Sequence, residues 1–251
     1  MGNSFSRLRR RLSDRRRRQR RFGLDVVDDV RTLFWHAPPQ LILDIGANTG
    51  RVSLRWHRGF PDARIHAFEP VPGTFARLQT RVAARPQITP WNLAVGDAPG
   101  QLPMRIFAGD ENNSLLPMAA NASEFVGGGG IVQQQTVDVE VTTVDRFCGE
   151  HRIATVDVLK SDTQGYELQV LRGAAEQMAR GAVGALVLEV HFVPHYEGQA
   201  LFADIHAHLQ ARGFRFVGLY QPSRNHVYAL NWGDALFVLP SYVAPRIYPP
   251  A

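Results

Sequence analysis

The sequence contains one cysteine, Cys148, and one lysine, Lys160. A single thiol has no partner for an internal disulfide and cannot build a Cys-rich zinc site, so a reducing, cytoplasmic compartment is expected. Long apolar runs are missing too. No stretch approaches the roughly 18 consecutive apolar residues of a membrane-spanning helix, and the N-terminus carries no apolar core of a secretory signal. With 45% hydrophobic and 20% charged residues over 251 positions, a disordered chain is excluded and one full core is expected. Also absent is the dinucleotide fingerprint G-x-G-x-x-G, which disfavours a pyrophosphate site and with it an NAD-dependent oxidoreductase.

The net charge of +5 conceals two populations. Residues 1–22 hold ten arginines and one acid, Asp14, and sum to +9, which leaves −4 for residues 23–251. Repulsion among the guanidiniums keeps such a segment from folding alone, and an anionic surface would relieve that repulsion. The chain therefore divides into a basic tail, 1–22, disordered or lying on an anionic membrane surface, and a folded domain, 23–251. A position peripheral to the inner face of the membrane is expected, with a merely solvating tail as the alternative. Sequence-specific nucleic-acid binding is not expected, because nothing downstream interleaves aromatic with basic residues.

From about Gly23, apolar β-branched runs alternate with amphipathic segments, the pattern of βαβ units and a parallel sheet. The spacing predicts strands at 41–45, 64–68, 89–95, 156–161, 185–191, 214–219 and 235–239, and helices at about 50–58, 72–84, 166–180 and 200–211. The fold class is α/β, with a Rossmann-like, seven-stranded, mostly parallel, doubly wound sheet. An insertion at about 97–150 shows hairpin-like alternation and contains Gly127 to Gly130; a flap over the site is one reading and a plain surface loop the other.

The first strand ends Asp44-Ile-Gly46-Ala-Asn48-Thr-Gly50 and runs directly into a helix. Ligands of open parallel sheets bind beyond the carboxyl ends of the strands, so this turn lies where a cofactor would sit, and Gly46 and Gly50 allow a sharp turn and close approach. S-adenosylmethionine suits this turn better than a dinucleotide: it has no diphosphate to cradle, and its ammonium needs a carboxylate such as Asp44. Glu69, ending the second strand about 25 residues later, is placed to hold a ribose diol, although such an acid alone also fits NAD. The third strand ends Asn92-Leu-Ala-Val-Gly-Asp97, a polar end suited to an adenine edge.

At the reacting end, Lys160 and Asp162 fall two residues apart and share one face of the fourth strand. In a chain that otherwise uses arginine, a lysine there points to a compact ammonium that can be desolvated and lose its proton, with a structural ion pair as the alternative. Glu189 and His191 share one face of the fifth strand; His191 is a candidate general base or acceptor contact. Asp162, Glu189 and His191 have the chemistry to chelate a hard divalent ion, but the spacing does not require one and no metal is assigned.

Together, Asp44-Ile-Gly-Ala-Asn-Thr-Gly50, Phe68-Glu-Pro70, Asn92-Leu-Ala-Val-Gly-Asp97, Leu159-Lys-Ser-Asp-Thr-Gln-Gly-Tyr-Glu167 and Leu188-Glu-Val-His191 resemble the FkbM family of methyltransferases over about residues 40–240. The resemblance implies a class I methyltransferase fold, S-adenosylmethionine as donor, and O-methylation of a sugar, glycan or polyketide-type acceptor. It maps Asp44, Gly46, Asn48 and Glu69 to donor binding, Asn92 and Asp97 to the adenine side, and Lys160, Asp162 and Glu167 to a K-x-D-x-x-G-x-E motif. Gln164 stands where many members have Glu, a departure that bears on the number of acids in the site and hence on a metal. A non-catalytic S-adenosylmethionine-binding scaffold is the competing expectation.

Overall fold

The computed structural model describes residues 22–108, 112–120, 122 and 132–247; the Arg-rich segment up to Arg21 and Gly127 to Gly130 lie outside them. In chain order the elements are α1 (Val26–Leu33), β1 (Leu41–Ile45), α2 (Arg51–Gly59), β2 (Arg64–Phe68), α3 (Pro72–Val82), β3 (Ile88–Trp91), β4 (Ala94–Val95), β5 (Gly100–Phe107) and β6 (Gln133–Thr142). There follow α4 (Val144–Glu150), β7 (Val156–Ser161), α5 (Glu167–Arg172), α6 (Ala175–Ala179), β8 (Val183–His191), α7 (Phe202–Gln210), β9 (Arg215–Arg224), β10 (Leu230–Val238) and α8 (Pro240–Ile247).

Every residue of β1, β7 and β8 is buried. Strands that apolar need cover on both faces, and helices on both sides of a parallel sheet provide it. The main sheet has the order β3-β2-β1-β7-β8-β10-β9. Its first five strands pair in parallel, whereas β10 is antiparallel to both β8 and β9. The order reverses between β1 and β7, and the crevice outside their carboxyl ends is where such a sheet takes a ligand. Among the described residues no helix is long and apolar enough to cross a membrane.

The segment expected as an insertion supplies β5 and β6, which join β4 just upstream of it in a separate three-stranded sheet, β4-β6-β5, with an apolar cluster of Val71, Ala94, Met104, Ile106, Val139 and Val141. Two expected elements are divided. The strand expected at 89–95 stops at Trp91, because the exposed Asn92 donates to the carbonyls of Glu69 and Pro70 and the chain crosses to the second sheet at Ala94. The helix expected at 166–180 breaks after Arg172, where Gly173 packs so close to the Gly96 carbonyl oxygen that a Cβ would lie 2.0 Å from it.

Three helices, α1, α4 and α8, were not expected. Asp25 caps α1, accepting from the backbone N–H groups of Val27 at 2.9 Å and Asp28 at 3.1 Å. The start of the domain is tied down on two sides: Asp29 accepts from Tyr220 of β9 at 2.6 Å, and Asp25 pairs with Arg55 of α2 at 2.7 Å.

Candidate active site

A cavity of about 790 Å³ opens at the carboxyl ends of β1, β2, β7 and β8. Its lining includes Gly46, Asn48, Glu69, Lys160, Asp162, Gln164, Glu189 and His191, with Val26 and Val27 of α1 at another side. Seven of the ten residues expected in the site therefore meet here or directly beneath. Gly50, Asn92 and Asp97 do not line the cavity, and Asp44 sits below its floor.

The β1 turn explains much of this. Gly46 has φ +71°, and a Cβ there would fall 1.8 Å from the carbonyl oxygen of Asp162, so only glycine lets the turns after β1 and β7 meet. Asn48 is also left-handed, at φ 48°, and its Oδ1 accepts from the Thr49 N–H at 2.6 Å. Gly50, at φ +82°, caps α2 and packs against Leu78, which is a turn role rather than a lining one. Glu69 is buried and accepts from the Val71 N–H at 2.9 Å. Leu93, Ala94 and Val95 line the cavity between the expected polar residues Asn92 and Asp97, both of which face solvent.

Asp44 and Lys160 are register partners on adjacent parallel strands. Asp44 is fully buried; its Oδ2 accepts from the Ser53 hydroxyl at 2.5 Å and its Oδ1 lies 3.1 Å from Lys160 Nζ. Asp44 thus lies beneath the turn rather than in the cavity lining. Lys160 also donates to the carbonyls of Gly46 at 2.9 Å and Ile45 at 3.3 Å. Burial opposes its charge, but Asp44 and Asp162 outweigh that and hold the ammonium above the ordinary lysine value. The geometry is that of the ion pair given as the alternative: Lys160 ties Asp44 to the carbonyls of the β1 turn.

Beyond Lys160, the loop folds around Gln164, which has φ +54°. Its amide nitrogen donates to Asp162 at 3.0 Å and Glu189 at 2.8 Å, and its amide oxygen accepts from the Tyr196 hydroxyl at 2.9 Å. Its backbone carbonyl accepts from Ser114 of the insertion at 2.7 Å. Glu167 does not line the cavity; it accepts from the N–H of Thr163 at 2.8 Å and its hydroxyl at 3.0 Å, bracing the loop from behind.

The acids raise one another. Burial, then Asp162, Glu167 and Asp234, push Glu189 well above the carboxylate range. Burial and Asp162 carry Asp234 to about 6 against the pull of Lys160 and Arg55. Burial, with His195 next, lowers His191 to about 3. Although its Nε2 lies 3.9 Å from Glu189 Oε2, the neutral imidazole makes this a polar contact rather than an ion pair. Among the described residues no group of three or more His, Cys, Asp or Glu is arranged to hold a metal.

Sequence reasoning missed Trp232 and Asp234, both on β10 and both lining the cavity. The alternation Trp232-Gly-Asp234-Ala was the signal, since it extends the expected strand upstream of Ala235.

Topology, switch-point cavity and glycine turn together define a Rossmann-like class I methyltransferase fold. Residues 44–216 match the model of the methyltransferase FkbM domain, more than half of the chain, and the chain belongs to that family of S-adenosylmethionine-dependent methyltransferases. It is 26% identical over 156 residues to the 2-O-methyltransferase NoeI of Sinorhizobium fredii, covering 57% of this chain and 60% of that one. It is 28% identical to the 31-O-demethyl-FK506 methyltransferase FkbM of Streptomyces tacrolimicus, over 74% and 76% of the two chains. The hexuronic acid methyltransferase AglP of Haloferax volcanii is 26% identical over 65% of this chain and 62% of its own.

Proposed function

We propose that the protein transfers the methyl group of S-adenosylmethionine to a hydroxyl of a sugar, glycan or related small metabolite. The observation that carries this is the convergence in one cavity of the Gly46 turn, Glu69 and the Asp162–Gln164–Glu189 cluster. Its residues fit the donor: an uncapped glycine turn for close approach, a buried carboxylate for a diol, and acids beside the position of a sulfonium. When bound, the donor supplies an activated methyl group.

The chain's own residues do the rest. Lys160 fixes the turn, and Glu69 holds the ribose end. A sugar hydroxyl is a poor nucleophile at neutral pH, so its proton must leave as the O–CH3 bond forms and the S–CH3 bond breaks. Asp162, with 35% of its side chain exposed, is the accessible carboxylate of the cluster and takes that proton. His191 stays neutral and orients the hydroxyl.

Calorimetric titration with S-adenosylhomocysteine tests the reading. Glu69→Ala is expected to weaken binding at least about tenfold, by analogy with other paired buried acceptors. Asp162→Asn should leave that affinity within about twofold while abolishing turnover, because the proton acceptor acts only in the chemical step. No binding by the parent protein would reject it.

We further propose that residues 1–22 hold the enzyme at an anionic membrane. The support is the +9 of that segment against −4 for the rest, and its attachment next to Val26 and Val27, which line the cavity. Each basic residue near an acidic leaflet contributes about 1 kcal/mol. Cosedimentation with vesicles is the test.

A further inference from the structure

We propose that the wall formed by the end of β8 and the start of β10 is the acceptor subsite, and that it takes an uncharged polyhydroxyl ring in preference to a uronic acid or a sugar phosphate. This rests on the methyl-transfer reading and names the acceptor's charge class.

The antiparallel register sets His191 opposite Trp232 and Glu189 opposite Asp234. Residues two apart on a strand share a face, so these form two successive cross-strand pairs on one surface. All four line the cavity. The acid pair lies beside Asp162, bridged to it through Gln164, and the imidazole–indole pair is the next pair along the strands, with His191 buried and Trp232 half-buried. A half-buried tryptophan in a cavity wall offers a flat apolar surface of the size of a pyranose face, with one polar edge.

His191 supplies the polar half. It is 2% exposed, and its Nδ1 is buried without a hydrogen-bond partner. An orphaned buried ring nitrogen is costly, and a ligand hydroxyl, which both donates and accepts, satisfies either tautomer. Its orientation is fixed from behind: the His195 ring packs edge-on at 4.5 Å, and His195 Nε2 is held 2.8 Å from Asn231 Oδ1.

The charge balance disfavours anions. Burial keeps both imidazoles neutral, while Asp162 and Asp234, with Glu189 raised well above the carboxylate range, face the same space. The nearby cations are already engaged: Lys160 on Asp44 and the Gly46 carbonyl, and Arg55 on Asp25. Arg51 lines the cavity from the first turn of α2. A carboxylate or phosphate at this wall would meet Asp162 and Asp234, with Lys160 and Arg55 already paired and Arg51 left as the cation of the lining outside the wall's two strands.

The test compares methyl glycosides of a neutral hexose and of the matching hexuronic acid, which differ only at C6, as acceptors for the full-length protein. We expect kcat/KM at least about tenfold higher for the neutral glycoside at pH 7.5, a gap that narrows in Asp234→Asn. Trp232→Ala should lose about tenfold in kcat/KM on the neutral glycoside with S-adenosylhomocysteine affinity unchanged, and Trp232→Phe should recover part of it. Equal or better turnover of the uronate, or turnover of neither, with S-adenosylhomocysteine still bound, overturns the subsite. Loss of S-adenosylhomocysteine binding itself would instead remove the methyl-transfer reading beneath it.

Discussion

Lys160 and Asp44 form an ion pair in which neither partner has access to water to fall back on: the lysine side chain is 7% exposed and the aspartate 0%. Removing one partner of such a pair strands the other, and the usual loss is about 4 kcal/mol. We therefore expect Lys160→Met to lower unfolding free energy by that amount in urea denaturation, and Asp44→Asn combined with it to restore more than half. A single variant within about 1 kcal/mol of the parent would rule out the staple. The lysine was legible as exceptional from composition alone. Its protonation was not, because the Asp44 partner comes from a register between strands that are 116 residues apart in sequence, and no local pattern encodes that. Asn92 and Asp97 lie outside the cavity lining for a related reason: their polarity was visible, but the crossing of the chain into a second sheet turned them to solvent.

At the level of the element, α5 and the loop before it depend on Glu167. Burial raises its carboxyl from 4.5 to about 7, with the Thr163 N–H pulling the other way. The folded protein keeps this proton between those two values while the unfolded chain has released it. Stability from this group is thus lost as pH rises from about 4.5 to about 7, and the deficit persists above. Glu167→Gln mimics the protonated acid and keeps an acceptor for Thr163. Its melting temperature should exceed the parent's by several degrees at pH 8 and match it at pH 4; parallel curves across that range would defeat the assignment. Most elements were legible, since a strand covered on both faces must be apolar throughout and a helix must keep its period. The break at Gly173 was not, because it answers a distant carbonyl, and α1 escaped notice because its cap and acidic first turn read as loop polarity.

For the whole molecule, charge is the organising variable. The tail carries the basic excess and the domain an acidic one, so the two should respond oppositely to an anionic surface. Full-length protein is expected to pellet with phosphatidylserine-containing vesicles and to be released at about 1 M salt, where screening shortens to about 3 Å. A chain beginning at Gly23 should stay in the supernatant; equal pelleting of the two would end the membrane reading. Nothing in the sequence indicated how the insertion meets the sheet, since that junction depends on tertiary contacts alone. Gln164 is where it happens: one side chain and its carbonyl touch Asp162, Glu189, Tyr196 and Ser114. The insertion and the acid cluster are therefore not separable modules in this enzyme. A loop grafted in from a relative would have to bring its own counterpart of the Ser114 hydroxyl, or it would shift Gln164 and with it the two carboxylates that this one amide holds together.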